Sequence, residues 1–194
     1  MHVPLIYTVP ARILKELAHE FVPHLTSFYN TSLSKGRVPS DWRQVNVIPV
    51  FKKGIKYIAN NYRFVSLTCI CCKVLEHIVV SSMVKHLELH GILVGCQHGF
   101  STKTSCETQL ISLTHEITNH LRSAIQNDLI ILDFSKAFHK VPQKKLLCKL
   151  DNNGKRGTTL KWIGSVLNNR MQQVVLDGEL SSILHVVSGG TPEV

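Results

Sequence analysis

An apolar run, Leu129-Ile130-Ile131-Leu132, ends on a carboxylate at Asp133; Phe138 follows five residues later, with His139 beside it. The run reads as a buried strand over 129–134, which puts the acid at a strand end. Two chemistries suit that position. Asp is a favoured N-cap and closes the turn into a following helix. It is also a hard oxygen donor, and Mg²⁺ takes one or two carboxylates together with substrate phosphates. His139 fits the second chemistry poorly, because imidazole suits zinc and the later transition metals.

A different chemistry is written at residues 52–63. Lys52-Lys53-Gly54 and Lys56 make a basic turn, and Arg63 follows with a planar fork suited to phosphate oxygens. The whole chain leans the same way: 22 Lys and Arg stand against 13 acids, a formal net charge of +9 and a pI near 9.4. A surplus of that size points to phosphate-bearing partners.

Six cysteines are present. Cys69 and Cys72 form a C-x-x-C pair with His77 nearby, which raises a zinc reading. The second pairs on offer, Cys96 with His98 or His86 with His90, do not have zinc-ligand spacing. Cys71 instead falls in step with Leu75, Val79, Met83 and Leu87 at four-residue intervals, so core cysteines are expected. His2, Pro4 and Pro10 interrupt the apolar N-terminal stretch, and no signal peptide is recognised. No run reaches the ~18 apolar residues of a membrane span. The expectation is an intracellular protein, nuclear or cytoplasmic, with free thiols and no membrane partner.

The elements that must position these residues follow from hydrophobic period and punctuation. Residues 10–34 carry a helical period, with a break expected at Pro23 and a stop at Gly36. Pro39-Ser40-Asp41-Trp42 starts something short. "VNVIPVF", 45–51, reads as a strand demoted toward an edge by Pro49. After "NYRFVS", read as a loop, come a long helix over 68–90 closed by Gly91 and a second over 105–123. The second starts on a capping box of Thr104 with Glu107 and presents Leu110, Leu113, Ile117 and Leu121 to a core. The strand 129–134, helices near 143–150 and 158–167, and an Asn153-Gly154 stop follow. Asp177-Gly178 is a two-residue hairpin signal between "QQVVL" and "LSSILHVV". Helices and strands mix without βαβ alternation, so the fold class is α+β. With 44% hydrophobic residues in 194, a packed core is expected and wholesale disorder is excluded.

"DFSKAFHKVP" resembles the first palm motif of reverse transcriptases, an Asp followed five residues later by an aromatic. Further blocks in order, "VPSDWRQVNVIPVFKKG", "NYRFVSLTCICCKVLEHIV", "CQHGFSTKTSCETQL" and "LKWIGSVLNNRMQQVVLDG", resemble reverse transcriptases of non-LTR retrotransposons, the jockey-like branch most closely. The resemblance covers roughly residues 10–188. It implies fingers over about 10–125 and a partial palm over about 126–194 of a right-hand polymerase fold, behind a divergent leader at 1–9. It also implies RNA-directed DNA polymerisation with Mg²⁺, on an RNA template with a DNA primer or an RNA–DNA duplex. Under it Asp133 is the catalytic, metal-binding carboxylate and Phe138 the steric gate under the incoming sugar, rigid and unable to hydrogen-bond a 2′-hydroxyl. Lys52, Lys53 and Arg63 bind the nucleotide triphosphate or the template backbone. Gln97 and Gly99 approach the template strand.

The sequence also departs from the family pattern. His139 stands where an Asp is usual, Phe64 where a proline stiffens the loop, Ser101 for an arginine and Ile55 for an acid. The family runs on into a "VPQG" segment and a Tyr/Phe-Ala-Asp-Asp turn, whereas residues 188–194 read "SGGTPEV", and none of the 13 acids adjoins another. Two-metal catalysis holds the reacting oxygens between ions about 4 Å apart, which one Asp cannot do alone. The expectation is a truncated domain without the rest of the palm and the thumb, not catalytic by itself. The alternatives are a non-enzymatic nucleic-acid-binding fragment or a translated retroelement remnant with no role.

Overall fold

The computed structural model describes residues 9–101, 104–134, 137 and 140–186. It divides into two compact units, one of Met1–Val79 with Lys136–Val194 and one of Val80–Ser135. The boundary falls inside a helix. Phe138 and His139, residues 188–194 and all but the last residue of the 1–9 leader lie outside the described residues.

In the first unit, α1 (Ala11–Glu16) and α2 (Ala18–Lys35) meet at Leu17, not at Pro23, which sits inside α2. Leu17 leaves helical geometry at φ −103 and ψ 30, so the break falls six residues before the proline. The N–H missing from Pro23 removes a single bond to the preceding turn, which α2 tolerates because it buries Tyr29 and Ser32 further on. Gly36, at φ 61, ends α2: its N–H and that of Arg37 reach back to the carbonyls of Leu33 and Ser32. A 3₁₀ turn over Ser40–Arg43 then delivers the chain into β1 (Gln44–Phe51).

Two corrections concern this sheet. β1 is central: it pairs antiparallel with β2 (Tyr62–Leu67) and parallel with β3 (Met171–Leu176). The parallel ladder spans Gln44–Val47 and so ends two residues before Pro49, which confines the proline to the part of β1 paired on one side. "NYRFVS" is largely strand rather than loop, because "YRFVSL" is rich in aromatic and β-branched residues and finds a partner in β1. The hairpin after Asp177-Gly178 is present, both residues at positive φ (51 and 87) as a tight turn of this hand requires. Its returning chain is split into β4 (Glu179–Leu180) and β5 (Leu184–His185). The pairings Val175↔Leu180 and Gln172↔Leu184 differ in register by one residue, the mark of a bulge. Ser181 bridges it, its hydroxyl accepting from the Val174 N–H at 2.9 Å.

α3 (Ile70–Leu89) crosses the unit boundary, and Gly91 stops it. Of its expected stripe Leu75 and Val79 are buried and Met83 and Leu87 half-buried, and Cys72, rather than Cys71, is the fully buried thiol. α5 (Gln143–Asn152) and α6 (Gly157–Leu167) complete the first unit, with α6 packed on both α2 and α5. The core is built of Tyr29, Val45, Val47, Cys72, Leu75, Trp162 and Leu167 among others. Three buried polar side chains within it are paired, whereas Arg170 Nη1 finds no acceptor among the described residues. Trp162 Nε1 donates to Ser32 Oγ at 3.0 Å, Gln173 Nε2 to Asn46 Oδ1 at 2.7 Å and the Tyr29 hydroxyl to the Cys71 carbonyl at 2.9 Å. Burial first, and then the neighbouring thiols of Cys71, Cys69 and Cys72, push the Tyr29 phenol up to about 12.

The second unit departs further from expectation. α4 (Cys106–Arg122) forms, but its cap is Ser105 with Thr108: Ser105 Oγ accepts from the Thr108 N–H at 3.2 Å while Thr108 Oγ1 accepts from the Ser105 N–H at 2.9 Å. Thr104 turns instead to the carbonyl of His98 at 2.8 Å. No residue of α4 is buried: Leu113 and Ile117 are half-covered, and Leu110 and Leu121 are exposed. The strand expected over 129–134 is absent. The segment is irregular, with Ile131 82% exposed. An apolar run becomes a strand only where a neighbour offers a ladder, and no described strand pairs with it. Among the described residues no helix is long and apolar enough to cross a membrane.

Candidate nucleic-acid interface

β1 and β2 run antiparallel up to the pairs Val50↔Arg63 and Phe51↔Tyr62, and the loop 52–61 closes them. Cross-strand partners share a face, so Arg63 lies with Val50 on one side while Phe51 and Tyr62 stack edge-to-face on the other, ring centres 5.4 Å apart. The loop is held by its own polar groups. The Lys52 N–H donates to the Asn61 carbonyl at 2.8 Å, Asn61 Nδ2 to the Ile55 carbonyl at 2.9 Å and the Tyr62 hydroxyl to the Lys56 carbonyl at 2.6 Å. Gly54 is required there, since at φ 91 a methyl group on it would lie 2.7 Å from Asn61 Nδ2.

Lys52, Lys53, Lys56 and Arg63 are therefore carried, all exposed, on one ordered hairpin end. No acid occurs between Phe51 and Phe64, and the described residues give none of the four an ion pair. Tyr57, 87% exposed, stands among the lysines. Basic residues interleaved with an aromatic are the pattern for single-stranded nucleic acid, and the sequence reading passed over this tyrosine. Cations neutralise backbone phosphates, and an exposed ring offers any base a stacking face.

Gln97, Gly99 and Asp133 lie in the second unit. Gln97 and Gly99 share one turn, Gln97 Nε2 donating to the Gly99 carbonyl at 3.0 Å. A methyl group on Gly99 would meet nothing within 4 Å, so packing does not demand a glycine there. The next residue, Phe100, holds a left-handed φ of 58 and an 81% exposed ring. Asp133 is exposed on irregular chain and not at a strand end. Phe138, expected as the sugar-contacting aromatic, lies outside the described residues. Magnesium wants several oxygen donors. Among the described residues no group of three or more His, Cys, Asp or Glu side chains gathers where an ion would be held, so they do not by themselves constitute a magnesium centre.

The core reading holds for Cys72 alone; Cys69 and Cys71 are half-buried, and Cys96, Cys106 and Cys148 are exposed. All six are free thiols; Cys72 is buried, with Sγ 3.4 Å from Glu76 Oε1, and burial pushes its thiol well up. Burial likewise raises the Glu76 carboxyl, against the pull of Cys72 and of Arg170. A thiol held neutral in this way is neither a nucleophile nor a ready metal ligand.

Residues 50–192 match the family model described as Reverse transcriptase (RNA-dependent DNA polymerase). That stretch covers Lys52, Lys53, Arg63, Gln97, Gly99, Asp133 and Phe138. The family copies nucleic-acid templates from primers and uses divalent metal ions. With a basic hairpin end free of acids, and a match over most of its length, the chain belongs to the reverse transcriptase family.

Proposed function

We propose that these 194 residues are the fingers and part of the palm of a non-LTR retrotransposon reverse transcriptase of the jockey-like branch, working as a nucleic-acid-binding segment. The carrying observation is the β1–β2 hairpin end, with Lys52, Lys53, Lys56 and Arg63 exposed around Tyr57 and no carboxylate among them. In this reading Lys52, Lys53 and Arg63 neutralise template backbone or nucleotide phosphates, and Gln97 and Gly99 approach the template. Phe138 is the gate under the incoming sugar, and Asp133 supplies one magnesium-binding carboxylate. The 194 residues do not polymerise alone, because none of the 13 acids adjoins another and one Asp does not hold two ions.

The test is binding of a fluorescent RNA–DNA duplex followed by anisotropy at several salt concentrations. Log affinity falls with log salt, because neutralised phosphates release counterions. Lys52→Ala/Lys53→Ala shallows the slope by about one unit per lost contact. Binding that ignores salt sinks this reading. Absence of any binding favours instead the reading of a translated remnant with no role.

A further inference from the structure

A second basic site lies in the first unit, built from residues that the hairpin does not use. A cleft of about 820 Å³ opens between the end of α2, the 3₁₀ turn and α6, lined by Lys35, Arg37, Arg43 and Lys161, with Gly36 and Ser165 among its other walls. Among the described residues no acid lines it, and none of the four cations has an ion pair. Like charges crowd here because the backbone forces it. At φ 61, a methyl group on Gly36 would lie 2.9 Å from Lys161 Cβ, so the glycine lets the end of α2 close onto α6.

The carbonyl ends of α2 and α6 offset part of this charge, about half an elementary charge each, which leaves roughly three positive charges uncompensated. A low-dielectric cleft lined by one sign of charge focuses its field and concentrates counter-ions. The hydrogen bonds are unbalanced in the same sense. Ser165 Oγ accepts from both Arg43 Nη2 and the Val38 N–H, each at 3.1 Å, which leaves its own proton to donate. Arg43 Nε is buried with no acceptor among the described residues. Surplus donors and surplus positive charge in one cavity are the complement of an oxyanion.

We infer that this cleft binds phosphate groups, specifically the phosphodiester backbone of a single nucleic-acid strand, as a contact surface separate from the hairpin end. The inference rests on the proposed nucleic-acid-binding reading for the identity of the ligand and on the cleft for the site. Four cations spread along an open cleft suit successive backbone phosphates better than one compact anion.

The experiment compares four forms of the full chain: unchanged, Lys52→Ala/Lys53→Ala, Arg37→Ala/Lys161→Ala, and all four substitutions together. Each is titrated with a fluorescent single-stranded oligonucleotide across salt concentrations, with circular dichroism checking the fold. Arg37 and Lys161 are exposed, so their loss leaves the core intact. The cleft variant is expected to lose about 1.4 units of salt slope, at about 0.7 per single-strand phosphate, which is about 25-fold in affinity at 0.1 M relative to 1 M salt. The combined variant loses both contributions. Unchanged slope and affinity in the cleft variant overturn the inference while leaving the hairpin reading standing. Loss confined to the cleft variant supports the inference and removes the hairpin reading. Pyrophosphate that saturates the cleft, with oligonucleotide binding untouched by the cleft substitutions, assigns the site to free phosphate and overturns the strand. Should Arg37→Ala/Lys161→Ala fail to fold, Lys35→Gln/Lys161→Gln is read by the same criteria.

Discussion

Gln173 Nε2 donates to Asn46 Oδ1 at 2.7 Å, a buried amide pair joining β3 to β1 across 127 residues of chain. Asn46 and Gln173 are register partners in the parallel ladder, so the side-chain bond reinforces the pairing that makes β1 central. A buried amide left without its partner costs its desolvation, whereas removing both partners costs far less. Gln173→Leu should therefore destabilise the first unit by about 1–3 kcal/mol. Adding Asn46→Leu should recover much of that loss. Urea unfolding of the two single variants and the double variant measures the coupling; strictly additive losses would mean that the bond carries no stability.

Ala124 follows α4 at a left-handed φ of 54, where the α2 and α3 ends carry Gly36 and Gly91. The closing bonds are the same in kind: the N–H groups of Ala124 and Ile125 reach the carbonyls of Leu121 and His120. A Cβ in that region costs about 1–2 kcal/mol, and glycine gives back about 0.4–1 kcal/mol through its freer unfolded chain. Ala124→Gly is expected to stabilise α4 by up to about 1 kcal/mol, read as a higher melting temperature by circular dichroism.

Tyr29 sets an alkaline limit. Its phenol is held at about 12 by burial, above the ordinary value of 10.0. Up to about pH 10 the phenol is neutral in both folded and unfolded chains and favours neither. Between 10 and 12 the unfolded phenol ionises while the folded one stays protonated, so stability falls as pH rises. Tyr29→Phe should flatten that part of the urea-midpoint profile while costing about 1 kcal/mol at pH 7 through the lost bond to Cys71. An identical alkaline decline in the variant would assign the effect to other groups.

Tyr57 should act through stacking. Tyr57→Ala is expected to weaken single-stranded RNA binding by about 1–3 kcal/mol and leave the salt slope alone, since no phosphate contact is lost. Tyr57→Phe keeps the ring and should bind as the unchanged protein does. A shallower slope in Tyr57→Ala would show that the tyrosine acts by positioning the lysines.

Primer extension tests the polymerisation reading. With Mg²⁺, an RNA template and a DNA primer, the 194-residue chain should extend nothing, and His139→Asp should not change that, because a second carboxylate group is still lacking. Extension that Asp133→Ala abolishes would reverse the proposal.

Punctuation and periodicity were enough to identify most helices. Gly36, Gly91 and Gly154 ended them because only glycine takes a left-handed residue at no steric cost, and Asp177-Gly178 announced its hairpin for the same reason. The basic cluster was legible too, since charge is a property of composition. What the sequence withheld was every relation depending on a partner. "YRFVSL" became a strand, and "LIILDF" did not, because a ladder needs a neighbour that no local pattern names. The cap of α4 passed from Thr104 and Glu107 to Ser105 and Thr108 because a one-residue choice of boundary decides which side chain meets the free N–H groups. Tyr57 entered the site only once the hairpin left its ring exposed among the lysines, and Lys35, Arg37, Arg43 and Lys161 became a site only when Gly36 brought α2 against α6. Residue type and short-range order are set along the chain, but convergence of distant charges is set by packing.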